Sequence, residues 1–299
     1  MGLSRGLQRW RGRRAALRGA SSIYAESTFA ELAWERRRRA STRWAWAGAA
    51  CGVLLAAIVF APAGWLAAAV TNYSGQRLLL SEARGTVWNG SAVPVLTGGT
   101  DSRSAALLGN GRLAWRVSLH GSAVQLRLRQ PCCIADEAVL LLRPGLGRVT
   151  LQLQPSPAPL GEWPAAWLAG LGAPWNTLQP SGTLRLSSSG LLAEGAAGRW
   201  RLAGNADLEL LDLGTAMTPL ERLGSYRLHL DGGQDGQGPL FTLSTLDGAL
   251  QLSGNGQWTG TQLRFRGEAQ AAPGAEGDLD NVLNFFGRRQ GARSLLSIG

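Results

Sequence analysis

Lysine is absent: all thirty basic residues are arginine. Histidine occurs only at His120 and His229, and cysteine only at Cys51, Cys132 and Cys133. Metal centres draw on clusters of nitrogen, sulfur or carboxylate ligands, and these few donors form no such cluster. No G-x-S-x-G run is present, so the sequence offers no exposed serine nucleophile on a strand-to-helix turn. Past residue 75 there is no Pro/Ser linker, no strict internal period and no compositional seam, which points to one folded domain there.

The net charge of +10 does not describe the whole chain. Eleven arginines and three glutamates fall between Met1 and Arg43, an excess of eight, which leaves +2 for the other 256 residues. The basic character therefore belongs to the first segment. Elsewhere arginine alternates with leucine and is nearly balanced by acids. No dense phosphate-neutralising stripe forms, so nucleic acid is not an expected partner.

Charge is missing altogether between Arg43 and Arg77. From Trp44 to Val70 the chain reads WAWAGAACGVLLAAIVFAPAGWLAAAV, long enough at about 1.5 Å per residue to cross a hydrocarbon layer of about 30 Å. The expectation is one transmembrane helix over 44–70, with Trp44, Trp46 and Trp65 as interfacial anchors. The competing reading is a signal peptide cut near Ala61-Pro62-Ala63 or Ala67-Ala68-Ala69. The apolar run from Trp44 to Phe60 exceeds the usual 7–15-residue core of such a peptide, which favours the uncleaved anchor. Arg36 to Arg39 and Arg43 precede it, so the N-terminus is expected in the cytoplasm and the bulk of the chain beyond the membrane. Residues 1–35 read either as a disordered cytoplasmic tail or as an upstream extension.

Beyond the anchor, period-two alternation dominates. Leu113, Trp115, Val117 and Leu119 alternate with polar or small residues, as do Val124, Leu126 and Leu128. The pattern recurs at 149–153, 183–186, 200–202, 206–210, 226–230, 241–243, 249–252 and 262–266. Each run reads as a strand with one dry and one wet face. Gly109-Asn110-Gly111, Gly232-Gly233 and Gly254-Asn255-Gly256 read as breaks between strands. Helical spacing appears twice: over 160–175, with Trp163, Trp167, Leu168 and Leu171, and over 278–288, with Leu279, Val282, Leu283 and Phe286. The fold class is mainly β. An Arg-rich tail (1–43) and a transmembrane helix (44–70) precede a single antiparallel, meander-like β-domain (71–299) with two short helices.

Candidate sites are few. In ARGTVWNG, residues 83–90, Thr86, Val87 and Trp88 read as strand and Asn89-Gly90 as a tight hairpin turn. Asp207 and Glu209 share a strand face, but Leu208 and Leu210 take the other, the pattern of a half-solvated strand. His120 and His229 read as solvent-side strand residues. The loop 231–238 has calcium-loop flavour without the ligand spacing. Adjacent Cys132 and Cys133 have three outcomes open: a vicinal disulfide, pairing between chains, or free thiols. No catalytic, cofactor or metal residue is expected, and no small-molecule substrate. Partner contact is assigned to Thr86, Val87, Trp88 and Asn89, and to Trp175 and Asn176.

The ordered set ARGTVWNGSA, GRLAWRVSL, QPCC, LGAPWNTLQPSGTLRLSSSGL, PLERLGSYRLHL, LSGNGQW, LRFRGEAQAA and LNFFGRR resembles the type II secretion system protein N family from about Ala49 onward. The resemblance implies a Gram-negative inner-membrane protein with a periplasmic β-domain. It further implies a non-enzymatic accessory subunit that assists assembly, or couples the inner-membrane platform to the outer-membrane channel side, during export of folded periplasmic proteins. No catalytic residues are carried over from the family. A second reading of the strand pattern is an anchored periplasmic lipid-handling protein, whose half-apolar strands curve into a trough.

Overall fold

The computed structural model describes residues 42, 44–100, 102–109, 111–196, 199–233, 238–259 and 262–298. The N-terminal tail, apart from Thr42, lies outside them. The chain divides into two compact units, Met1–Phe60 and Ala61–Gly299.

In the first unit residues 44–59 form helix α1, about 24 Å long at 1.5 Å per residue. The single helix expected over 44–70 is not formed. Pro62 has no N–H to continue the ladder and its ring disfavours helical backbone at Ala61. Pro62 is extended (φ −67°, ψ 145°), and a second helix, α2 (Ala63–Tyr73), starts after it. Among the described residues no helix is long and apolar enough to cross a membrane.

The second unit is one antiparallel sheet, with sixteen strands among the described residues. The chain meanders through β1 (Leu78–Gly85), β2 (Asn89–Thr97), β3 (Ala105–Leu107), β4 (Leu113–His120), β5 (Ala123–Arg129), β6 (Ala138–Gly145) and β7 (Arg148–Leu153). It continues through β8 (Gly161–Pro164), β9 (Ser181–Ala196), β10 (Arg199–Gly214), β11 (Gly224–Asp231), β12 (Leu240–Gly248) and β13 (Leu250–Trp258). The last strands are β14 (Leu263–Ala271), β15 (Arg288–Gln290) and β16 (Arg293–Ile298). Neighbours in sequence are neighbours in space except that two strands branch off the path, β3 on β2 and β8 on β9, and that β14 pairs with β16, which leaves β15 as the outer strand.

Register turns the alternation into two faces. Leu186, Leu208, Leu228, Leu243, Gly254, Gly267 and Leu296 stand opposite one another across seven strands. One residue along, Ser187, Asp207, His229, Thr242, Asn255, Arg266 and Ser297 form a polar row on the reverse side. The first half repeats this with Val117, Leu126, Leu140, Leu153 and Leu191. Gly254-Asn255-Gly256 is therefore not a break: it lies inside β13. A Cβ on Gly254 or Gly256 would meet the Phe265 ring at 2.5 and 2.7 Å, so the glycines make room for that ring. Between Ser244 and Asp247 the β12–β13 ladder opens, and the Thr245 hydroxyl bridges it by donating to Leu252 O (2.9 Å) and accepting from Leu252 N (2.6 Å).

Helices cover only parts of the dry face. α2 packs where Ala63 meets Ala92 and Trp115. The segment read as a helix over 160–175 instead gives β8, a 3-10 helix (Ala165–Leu171) and the short α3 (Trp175–Leu178). Glu162 N reaches Cys133 O at 2.6 Å and β8 pairs with β9, which draws residues 161–164 into the sheet. The C-terminal helix, α4 (Glu276–Phe286), forms close to its expected place. Leu279, Val282 and Leu283 insert among Leu213, Leu223, Tyr226, Leu250 and Ala269. Tyr226 Oη donates to Leu250 O at 2.9 Å, and burial raises the phenol pKa above its ordinary value.

This cluster predicts a stability effect. Leu279 and Leu283 are 0% and 1% exposed, so Leu279→Ala or Leu283→Ala should each destabilise the domain by about 2–5 kcal/mol. Denaturant melts of the full chain test this. An unchanged midpoint for both variants would mean α4 is not part of the core.

Candidate functional site

The dry face is the most distinctive surface of the domain. Each residue in the seven-strand row from Leu186 to Leu296 is only half-buried, and so is the row from Val117 to Leu191. Between the helical patches no second layer covers these leucines among the described residues. Leu184 on β9 and Leu296 on β16 nonetheless line one cavity of about 290 Å³, together with Leu168, Trp175, Leu178, Leu208 and Leu228. In a flat sheet, strands six positions apart would be separated by about 29 Å. The sheet therefore curls into a trough, and the cavity lies within it. Thr215 and Tyr226 bring the hydroxyls of its lining, and both are engaged: Thr215 Oγ1 bonds Leu178 O and Tyr226 Oη bonds Leu250 O. The cavity thus suits hydrocarbon and leaves the N–H and C=O groups of a peptide unpaired.

The reverse face is an ion-pair lattice. Arg185 bridges Glu162 (2.6 Å) and Glu209 (3.7 Å), Arg227 also holds Glu209 (2.7 Å), and His229 Nδ1 lies 2.7 Å from Asp207 Oδ1. Asp207 and Glu209 thus face separate partners on a half-exposed sheet surface. His120 is exposed at the far end of β4. Neither histidine faces a nucleophile in a cleft. Among the described residues no group of three or more metal-ligating side chains converges.

The opening stretch folds differently from its sequence reading. Gly85 takes the positive φ (+88°), Thr86 to Trp88 make the turn, and Asn89-Gly90 open β2. Asn89 N donates to Thr86 Oγ1 (3.1 Å) and Thr86 N to Asn89 O (2.9 Å), so the threonine side chain completes the turn that Asn-Gly was expected to make. Two outside segments meet here, Ala61-Pro62 and β4. Val87 N donates to Ala61 O (2.9 Å), Pro62 bridges Thr86, Trp115 Nε1 donates to Val87 O (3.1 Å), and Val117 N donates to Trp88 O (2.7 Å). Thr86, Val87, Trp88 and Asn89 thus clamp the entry of the chain to β4. Trp88 remains 36% exposed.

Trp175 and Asn176 lie elsewhere. The 86–88 turn shares its end of the sheet with the β4–β5 turn, whereas α3 sits at the opposite end, beside the β10–β11 connection. Trp175 lines the cavity, and exposed Asn176 donates to Ser104 Oγ at 3.2 Å. The two candidate groups therefore do not form one surface. Cys132 and Cys133 are joined in a disulfide. It packs over Gly109, where a Cβ would meet Cys133 Sγ at 2.5 Å, and borders a second, shallower cavity of about 560 Å³ with Trp163 and Trp167.

A single curled sheet with one leucine face and one ion-paired face defines a β-trough domain. The family model for type II secretion system protein N matches residues 76–295, and the chain belongs to that family. Membership assigns it an accessory role in type II secretion, alongside other components of that system. No curated protein and no solved structure matches the chain significantly.

The clamp yields a sharp comparison. A Cβ on Gly90 would meet Trp115 Cζ2 at 2.6 Å and the carbonyl oxygens of Arg84 and Thr86 at 2.8 Å, whereas one on Gly277 would meet nothing within 4 Å. Gly90→Ala should cost about 1–3 kcal/mol through overpacking, and Gly277→Ala, inside α4, should be neutral or stabilising by up to about 1 kcal/mol. Thermal melts of the two variants measure the contrast. Equal melting temperatures would refute the clamp.

Proposed function

We propose that this chain is a non-enzymatic, inner-membrane-anchored subunit of the type II secretion machine. Its sheet assists assembly or couples the inner-membrane platform to components nearer the outer-membrane channel. The observation that carries this reading is the family match, together with the chemistry of the two faces, one of ion pairs and one of leucines. The anchor is the apolar segment from Trp44 to Phe60. Val53, Leu54, Leu55 and Val59 are 70%, 63%, 58% and 56% exposed on α1, as is Phe60 (74%) in the turn after it, and a helix apolar all round is suited by lipid rather than water. Arg43 and Arg36 to Arg39 upstream support a cytoplasmic N-terminus. Edge pairing is a weaker route to partners. β15, an outer strand, has three residues and two arginines, and β1 carries a bulge between Ser81 and Arg84, both devices that blunt sheet edges.

Deleting the gene should leave substrates of type II secretion in the periplasm, with export restored by the full chain. In the complemented strain the protein should stay with inner-membrane vesicles through carbonate extraction. Unchanged export would sink the secretion role. A soluble chain trimmed near Ala63 or Ala69 would sink the anchor.

A second reading is favoured by the cavity itself: the trough holds a lipid acyl chain. A hydrocarbon-sensitive dye should brighten on binding the detergent-free domain face and be displaced by a long-chain fatty acid. Leu228→Glu, on a half-buried dry-face position, should abolish that binding, and retained binding would count against the trough as its site.

A further inference from the structure

Hairpin connections alternate between the two ends of the strands, so the sheet has two rims. One is built over: the 3-10 helix, α3 and α4 all lie at connections on that side. The other carries the β1–β2, β4–β5, β6–β7, β9–β10, β11–β12 and β13–β14 connections, with no helix inserted at any of them among the described residues. Exposed large apolar side chains flank five of these connections, while Tyr73 (94%), Leu107 (61%) and Leu246 (43%) are the exposed ones toward the built-over rim. Leu119 is 76% exposed, Leu146 fully so (104%), Trp200 61%, Leu240 40% and Trp258 39%, each beside a different hairpin tip. Trp65, 60% exposed, stands in the first turn of α2, which leaves this same rim through the Pro62–Thr86 bridge.

Charge and chain path agree with that placement. Arg148 and Arg199 are both exposed and both lie opposite Ala196, level with the β6–β7 and β9–β10 tips. The polypeptide enters the sheet at Ala61, hydrogen-bonded to Val87 at the rim, directly after the apolar segment that ends at Phe60. Tryptophan, leucine and arginine on consecutive tips are the composition of a membrane interface, where amphipathic rings sit among headgroups and guanidinium groups meet phosphates. A protein partner would be expected to find one contiguous patch; here the apolar residues are strung out along a line of hairpin ends.

The geometry points to this rim as a docking edge for a phospholipid bilayer containing anionic headgroups. The sheet stands on the membrane surface by its hairpin tips, and the dry face of the trough opens toward the acyl chains. The inference deepens the anchored reading above and rests on the segment ending at Phe60 being inserted.

The test uses the full chain in vesicles of phosphatidylethanolamine and phosphatidylglycerol, labelled at one site at a time with a fluorophore and quenched by lipids brominated high on the acyl chain. Three sites are compared: native Cys51 in α1; Leu146→Cys at the bare rim; and Leu246→Cys, 43% exposed near the β12–β13 turn at the other rim. The last two carry Cys51→Ser. The expected result is loss of most fluorescence at Cys51 and at Leu146→Cys, and little at Leu246→Cys. Arg148→Ser and Arg199→Ser should each lower the docked-to-undocked ratio at Leu146→Cys roughly fivefold. Quenching at Cys51 without quenching at Leu146→Cys overturns the docking edge and leaves the anchor standing. No quenching at either overturns both. Equal quenching at Leu146→Cys and Leu246→Cys overturns the assignment to this rim.

Discussion

Antiparallel register is the constraint on which the rest of this domain depends. Side chains alternate faces at every residue, so a slip of one position would send the leucines of a strand to the ion-paired side. The leucine row from Leu186 to Leu296 survives six successive pairings because bulges fall where the pattern needs them. β9 and β10 shift register between Asn205 and Ala206 and again between Leu211 and Gly214. β11 and β12 shift between Ser225 and Tyr226. Exposed ion pairs such as Arg222 with Asp212 contribute little energy each. The value of cross-strand pairs such as Arg227 with Glu209 lies in register, since a slipped strand would bring arginine against leucine.

The same constraint explains the asymmetry of the rims. A curled single sheet can fill its interior only where something crosses it. α4 and the 3-10 helix with α3 do this at one rim, where Leu279, Val282 and Leu283 reach full burial and the short helices bury their own Ala165 and Leu178. α2 covers the first strands over Trp115. Along the remaining length the leucines stop at half-burial. The cavity of about 290 Å³ sits where the covered and uncovered lengths meet.

Much of this was legible in the sequence, and the misses share a cause. Alternation located most strands, including the runs around Leu208 and Leu228, because a period of two leaves a strong local mark. The heptad-like spacing of Leu279, Val282 and Leu283 found α4. Errors arose where a distant residue decided the local conformation. Gly254-Asn255-Gly256 looks like a turn, yet Phe265 from the next strand needs the space those glycines leave. Asn89-Gly90 looks like a hairpin apex, yet Trp115 from β4 occupies the volume above Gly90, and Gly85 with Thr86 turns the chain instead. Pro62, one residue in a long apolar run, ends α1 and becomes part of the sheet through Thr86. The cavity had no sequence signature, because a leucine facing a groove and one facing a core alternate alike.

Half-burial itself bears on function. Full burial of a leucine is worth about 1.5–3 kcal/mol, so a sheet that leaves its inward leucines half-exposed forgoes stability that a covering helix or second sheet would recover. Water is a poor medium for such a face, and a polypeptide partner would bring backbone donors and acceptors that the cavity cannot satisfy, since its hydroxyls at Thr215 and Tyr226 are already engaged. Hydrocarbon has neither fault. The bare rim has the same logic on its outside: isolated leucines and tryptophans beside hairpin tips are costly in water and comfortable in a headgroup layer. The half-buried leucine face and the exposed side chains of the bare rim are thus the two surfaces on which the proposed lipid contacts rest.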